Sequence, residues 1–455
     1  MAVLLLASGA QASAPPPASS SRLPGAAEVA AIAEYNWYPG YYVLNHEDTA
    51  SSKQAILNDP LVEPFTGVQF RYHWAASEQR PGDYSAGFAT LDRDLRRVSA
   101  KRKKIMVMLM YKKFDGTSAV PADLRTEPGP WCSGTYCGEL TSGTTSVALL
   151  WNPVVQARLK AWIRAMARHL SNSRYLDSVA GIVLNETSLG TTDTDVLASA
   201  EYDPLVYLRA LRDNMRVAIR AAPRLITILY YEGGFISMDG KPVPALETIG
   251  DWMLRNPRTG AGTPDLKPRS RRGPNTPCTN AKYQSFIACA PAVQAPDYSR
   301  AATNSFEDSF QYATEPVPDG WHASFLTFSR AVGPGPNAFT FADVSRSIAD
   351  HPIPNTARPW PVDPVGVLRK VSLTSPIRAG KDASLTVTVS PKARCTIEVI
   401  YGGVASKAKG LGPKSGETIT WRWRVTEGTR PGSWPVIVRC GKSGTLKLAM
   451  RVLPR

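Results

Sequence analysis

Three segments, Lys104 to Tyr111 (KIMVMLMY), Val179 to Asn185 (VAGIVLN) and Leu225 to Tyr231 (LITILYY), are almost continuously apolar yet only seven or eight residues long. Runs of that length read as strands buried on both faces, the pattern of a parallel sheet covered by helices. Helical periodicity fills the intervals. Pro153 to Leu170 puts Val155, Leu159, Trp162, Ile163, Met166 and Leu170 on one stripe behind a capping Asn152. Pro204 to Ala221 does the same with Leu208, Leu211, Met215, Ala218 and Ile219. Towards the N-terminus, Ile32 to Trp37 reads as a first strand, Gly67 to Trp74 as a second and Phe88 to Ala100 as an amphipathic helix. After the fifth strand the pattern weakens. Asp265 in GTPDLKP marks a sixth strand, Ala290 to Ala295 a seventh and Ala323 to Phe328 an eighth, before a helix around Phe341 to Ala349. Eight such units predict an α/β fold, a closed (β/α)8 TIM barrel over residues 28–351. No glycine-rich fingerprint follows a strand, which argues against a nucleotide-binding doubly wound sheet.

The texture changes after a Pro-rich linker at residues 352–364. The segments KVSLTS, SLTVTVS, CTIEVIYGG, ETITWRWRVT, WPVIVRC and TLKLAMRV predict a small all-β immunoglobulin-like sandwich over residues 365–455. In Trp421-Arg422-Trp423-Arg424, strand alternation sends the tryptophans to the core and the arginines outward. From Val365 onward there are 17 Lys and Arg against 4 Asp and Glu, so nearly all of the chain's net +15 sits here. Such a surface attracts an anionic glycan or cell-envelope material; nucleic acid is not expected. At the other end, MAVLLLASGAQASA resembles a secretory signal ending at Ala14, with a spacer to residue 27. The six cysteines fall as local pairs, Cys132 with Cys137, Cys278 with Cys289 and Cys395 with Cys440, which suits disulfides in a secreted or periplasmic protein. Cys132 and Cys137 (CSGTYC) also read as half a zinc knuckle, but no second half completes it. No apolar run reaches about 18 residues, so no transmembrane helix is expected.

In a parallel barrel, reactive groups gather at the C-terminal ends of the strands. Those ends carry Trp74 with Glu78 beyond it, Asn185-Glu186 and Tyr231-Glu232, with Asp265 and Asp297 near the sixth and seventh. An acid that follows an unbroken apolar strand serves a ligand or a reaction. Trp37, Tyr72, Trp74, Tyr231 and Trp321 fall at or near proposed ends and offer ring faces on which sugars pack. Plainer roles stand beside these: Glu186 paired with an arginine, Glu232 solvated at a Gly233-Gly234 turn, Glu78 ordering its loop. His46, His73, His169, His322 and His351 are scattered and no HExxH occurs, so neither a metal nor a cofactor is expected. No G-x-S-x-G elbow is present either.

The segment from Gly67 to Tyr111, with its Trp74, its Glu78-x-x-Pro81-Gly82-x-Tyr84 turn and its Leu91-Asp92 helix, resembles the second and third units of clan A glycoside hydrolases, the cellulase and β-galactosidase superfamily. Asn185-Glu186 is similar to that family's fourth-strand Asn-Glu. The resemblance covers roughly residues 32 to 235. It implies an enzyme acting on a carbohydrate, with Glu186 as acid/base and Asn185 on the sugar; with the signal-like segment and the cysteine pairs, a secreted glycoside hydrolase is expected. The family's second carboxylate ends the seventh strand, where no strand-borne Glu stands here. Glu232 and Asp297 are the substitutes, and the catalytic pair is expected to be Glu186 and Glu232. A glycan-binding protein without catalysis is the rival expectation, and a polysaccharide lyase a weaker third. In a glycoside hydrolase one carboxyl holds a proton for the leaving oxygen while the other is ionised.

Overall fold

A computed structural model of the chain describes residues 35–126, 129–232, 245–256, 258–268, 276–294, 305–316, 319–330, 339–359, 367–441 and 445–454. The signal-like segment, the spacer, the end of the linker and Asp297 lie outside these. Eight parallel strands close into a barrel: β1 Gly40–Leu44, β2 Gly67–His73, β3 Lys104–Met110, β4 Val179–Leu184, β5 Ile226–Tyr230, β6 Thr259–Thr263, β7 Ala288–Val293 and β8 Phe325–Ser329. Each pairs with its neighbours in sequence, and β1 closes on β8 with Gly40 opposite Phe325.

The first strand is displaced from the expected Ile32 to Trp37. Pro39 brings no N–H to a ladder. Gly40 sits at φ +142°, with Thr66 Oγ1 only 2.0 Å from where a Cβ would stand. The strand therefore starts at Gly40, and its five residues are all buried. Trp37 and Tyr38 lie beneath the N-terminal end of the barrel. Trp37 packs edge-on against Phe325 at 5.0 Å, and the Lys104 ammonium lies 3.9 Å from the Tyr38 ring.

Strand alternation sorts side chains into two layers. Met106, Met108 and Met110 of β3, Ile226, Ile228 and Tyr230 of β5, and Ala288, Ala290 and Ala292 of β7 fill the barrel. Ile105, Val107 and Leu109, with Leu229, Cys289 and Val293, face the helices. Gly262 on β6 leaves room for the Tyr230 ring, which would lie 2.8 Å from a Cβ there. Inside, the Tyr230 hydroxyl donates to Gln69 Oε1 at 3.1 Å.

The outer layer comprises α1 Ala50–Asn58, α2 Ser85–Ala100, α3 Pro153–Ser171, α4 Pro204–Ala221, α5 Ala245–Leu254, α6 Phe306–Thr314 and α7 Phe341–Ser347. Asn152 caps α3 as its sequence suggests, accepting from Val154 N and Val155 N at 3.0 and 3.2 Å. Its apolar stripe is fully buried, each large side chain contributing about 1.5–3 kcal/mol. Between β6 and β7 no α-helix occurs among the described residues. Two short 3-10 turns and the Cys278–Cys289 disulfide cover that side. Between β3 and α3 the chain inserts small hairpins on the C-terminal side of the barrel, one closed by Cys132–Cys137.

Residues 352–359, the first part of the linker, pack on the barrel. Ile353 is buried, the Trp37 indole donates to Thr356 O at 2.7 Å, and the Asn355 amide donates to His322 O at 2.7 Å. Beyond lies a separate all-β unit, a single curled sheet of seven strands. Its main members are β9 Val367–Leu373, β10 Asp382–Tyr401, β11 Lys414–Arg424, β12 Gly432–Arg439 and β13 Thr445–Leu453. The long β10 pairs with β9 in its first half, with β11 from Asp382 to Cys395 across a register break between Thr388 and Ala393, and with β12 from Thr396 to Val399. Trp421 and Trp423 are buried and Arg422 and Arg424 exposed. The Cys395–Cys440 disulfide closes a loop of 45 positions, worth about 4 kcal/mol in the chain-entropy account.

Candidate active site

The inward series of several strands continue past their last rungs as polar side chains. On β2 the series is Gln69, Arg71, His73. Two residues past Met110 comes Lys112, and two past Tyr230 comes Glu232. These groups meet Glu186 at the C-terminal mouth of the barrel.

Lys112 is completely buried and ion-paired with Glu186 Oε1, whose side chain is 13% exposed. The same ammonium donates to Ser188 Oγ at 2.6 Å and to Ser188 O at 2.9 Å. The Ser188 hydroxyl in turn donates to Glu186 Oε1 at 3.1 Å. Ser188 also lies near the carboxyl of Glu232 and eases its charge slightly. Ser188 therefore stands beside both carboxyl groups. The backbone locks the two strand ends together: Thr187 N donates to Tyr230 O at 3.0 Å, Glu232 N donates to Thr187 Oγ1 at 2.9 Å, and that hydroxyl donates to Glu232 O at 2.9 Å. Burial, reinforced by the charge of Glu186, pushes the Glu232 carboxyl from 4.5 up to about 7; Lys112 pulls against the shift, and Asp265 adds to it.

Across the mouth, His73 Nε2 pairs with Asp48 in the loop after β1, and His46 Nε2 contacts Ser329 Oγ at 2.6 Å. Burial and the Arg71 charge push the His46 imidazole down to about 4. Phe114, 45% exposed, lies beside Lys112 with the ammonium 4.6 Å from its ring.

Of the residues expected from sequence, Asn185, Glu186, Glu232 and Asp265 lie at this mouth. Asn185 is buried, accepting from Tyr111 N at 3.1 Å and donating to Glu186 O at 2.9 Å, so its side chain braces the strand ends. Asp265 follows β6 and pairs with Lys267 at 3.4 Å. The five aromatic candidates lie elsewhere. Trp37 is under the barrel, and the buried Trp321 precedes β8. Tyr72 and Tyr231 are at outward positions of β2 and β5; the Tyr72 hydroxyl donates to Asp94 Oδ2 of α2 at 3.0 Å. Trp74 stacks on Trp162, and its indole donates to Glu78 Oε2 at 2.6 Å. Glu78 orders the following turn, accepting from Gly82 N at 2.7 Å and Arg158 Nε at 2.9 Å. Proximity to a strand end without the face is what misplaces these rings. The seventh strand ends Val293-Gln294, with no acid there. Arg71, Lys112, His73, Ser188 and Phe114 are mouth residues the sequence reading passes over; for the first three, the period-2 inward series was the available signal. Among the described residues, no group of three or more His, Cys, Asp and Glu side chains forms a metal site.

No family model matches the sequence, and no curated protein matches it. Solved structures similar to it include a modular endo-β-1,4-mannanase from Cellulomonas fimi, 13% identical over 92% of this chain and 94% of that one, with a TM-score of 0.41. An endo-1,4-β-mannanase from Eisenia fetida is 14% identical over 71% of this chain and 91% of that one, TM-score 0.40. An exo-β-1,4-mannosidase from an Opitutaceae bacterium is 14% identical over 67% of this chain, TM-score 0.39, and this chain spans only 55% of its length. Likeness at this level decides nothing about chemistry. The site has to be judged on its own residues.

Proposed function

We propose that the chain is an exported glycoside hydrolase in which Glu186 and Glu232 cleave a glycosidic bond of a poly- or oligosaccharide. The observation that carries this reading is a raised carboxyl, Glu232, close to an ion-paired one, Glu186. Glu232 is held up near 7 by burial and by its neighbour, while Glu186 is ion-paired with Lys112. A carboxyl raised in this way beside an ion-paired one is suited to act as the acid of a carboxyl pair. Glu232 then protonates the leaving oxygen and Glu186 works on the anomeric carbon. This exchanges the roles that the family resemblance implies for Glu186.

Phe114 supplies an open ring face beside the pair. The three disulfides suit an oxidising compartment, and the basic sheet unit is suited to holding the enzyme on anionic glycan or envelope material.

The test is release of reducing ends from a panel of polysaccharides by the wild type, Glu186→Gln and Glu232→Gln. Both variants should fold and lose on the order of a thousandfold in turnover, since an amide neither attacks nor delivers a proton. Turnover within tenfold of wild type in either variant contradicts the assignment. Binding without cleavage by the wild type leaves the glycan-binding rival.

A further inference from the structure

Arg71 stands at the mouth on the inward face of β2, and no acid among the described residues is within ion-pair distance of its guanidinium. Its Nε is buried and makes no hydrogen bond. The residue as a whole is only partly covered, and burial is the main influence on its guanidinium. Every carboxyl nearby has another engagement. Glu186 is held by Lys112 and Ser188, Asp48 Oδ2 by His73, and Asp265 by Lys267. Glu232 holds a proton below about pH 7. Asp48 Oδ1 is itself without a hydrogen bond, and the charges of Asp48 and Glu186 reach Arg71 only through space. The next inward group on β2, His73 Nδ1, is likewise buried without a partner. His46 brings no competing cation, because its imidazole is neutral above about pH 4. An arginine in a partly desolvated cleft, unpaired and presenting a planar fork of donors, is suited to a ligand that brings the missing anion.

We propose that Arg71 anchors an anionic group of the substrate: the glycan taken here carries a carboxylate or a sulfate ester on the sugar that sits at the β1–β2 side of the mouth. This rests on the hydrolase reading for its catalytic meaning, though not for its binding. Arg71 pairs with the anion through its fork, His73 Nδ1 offers a second polar contact, and the sugar is held with its glycosidic bond towards Glu186 and Glu232.

The experiment compares an acidic polysaccharide with the same polymer after carboxyl reduction, and a sulfated glycan with its desulfated form, on the full chain. Wild type should prefer the anionic member of one pair on the order of a hundredfold in kcat/KM, chiefly through KM. The pair that responds identifies the anion. Arg71→Gln should bring that preference to within about threefold, and Arg71→Lys should restore part of it. All variants keep the same basic sheet unit, so the difference reports the mouth. A wild type that treats both members alike, or an Arg71→Gln variant that loses activity equally on both, overturns the anchor. Should no polymer be cleaved, calorimetry with anionic and neutral oligosaccharides separates the two ideas. Anionic binding lost at least tenfold in Arg71→Gln keeps the anchor and removes the hydrolase; equal binding of both forms removes the anchor.

Discussion

Burial and the charge of Glu186 move the Glu232 carboxyl from 4.5 to about 7, and that shift is tied to stability. Between those pH values the folded protein keeps a proton that the unfolded chain has lost, so the contribution is full below about 4.5 and is lost as pH rises through 7. Glu232→Gln does not titrate and escapes the loss. The variant should therefore melt higher than wild type at pH 8, by up to about 3 kcal/mol of stability, and show no such gain at pH 4. Thermal denaturation at the two values checks it; an offset independent of pH contradicts the shift. Much of this site was readable from alternation alone. Met106, Met108 and Met110 point inward, so Lys112 does too, and Gln69 carries Arg71 and His73 with it. The same rule turns Tyr72 and Tyr231 away from the mouth. What the sequence withholds is the Ser188 bridge, because it depends on how the loop after β4 folds back over Lys112.

At the scale of elements, strands with strong apolar runs were plain in the sequence and weak ones were not. β6 is TGAGT, poor in strand-forming residues, and holds its place because Gly260 and Gly262 fit against Ala288, Ala290 and Tyr230. β1 was misplaced because the Pro39-Gly40 step delays pairing. Helix α1 is tied to β2 and α2 by a buried cluster that no periodicity reveals. Lys53 lies over the Tyr72 ring at 4.3 Å and pairs with Asp94 at 3.0 Å, while the Tyr72 hydroxyl donates to the same carboxylate. Asp94→Ala leaves a buried ammonium with no counter-ion and should cost about 3–5 kcal/mol. Urea denaturation reads the loss, and kcat below the transition should stay unchanged because the cluster faces the helices. A cost under 1 kcal/mol contradicts the role given to this pair.

The whole molecule joins two units of different character, a near-neutral barrel and a strongly basic curled sheet. The change of texture past the prolines makes that division visible in sequence. The packing of residues 352–359 on the underside of the barrel was not visible, since it rests on single contacts such as Trp37 to Thr356. Closure of the barrel is what brings residues separated by more than a hundred positions, His46 to Glu232, to one mouth. In the proposed mechanism Glu232 holds the proton delivered to the leaving oxygen. The pH dependence of kcat/KM on a cleaved glycan tests it most directly, because that profile reports the free enzyme's essential acid. A basic limb is expected near pH 7, where Glu232 loses its proton, with activity falling tenfold for each further pH unit. A profile that stays flat to pH 9 would contradict it.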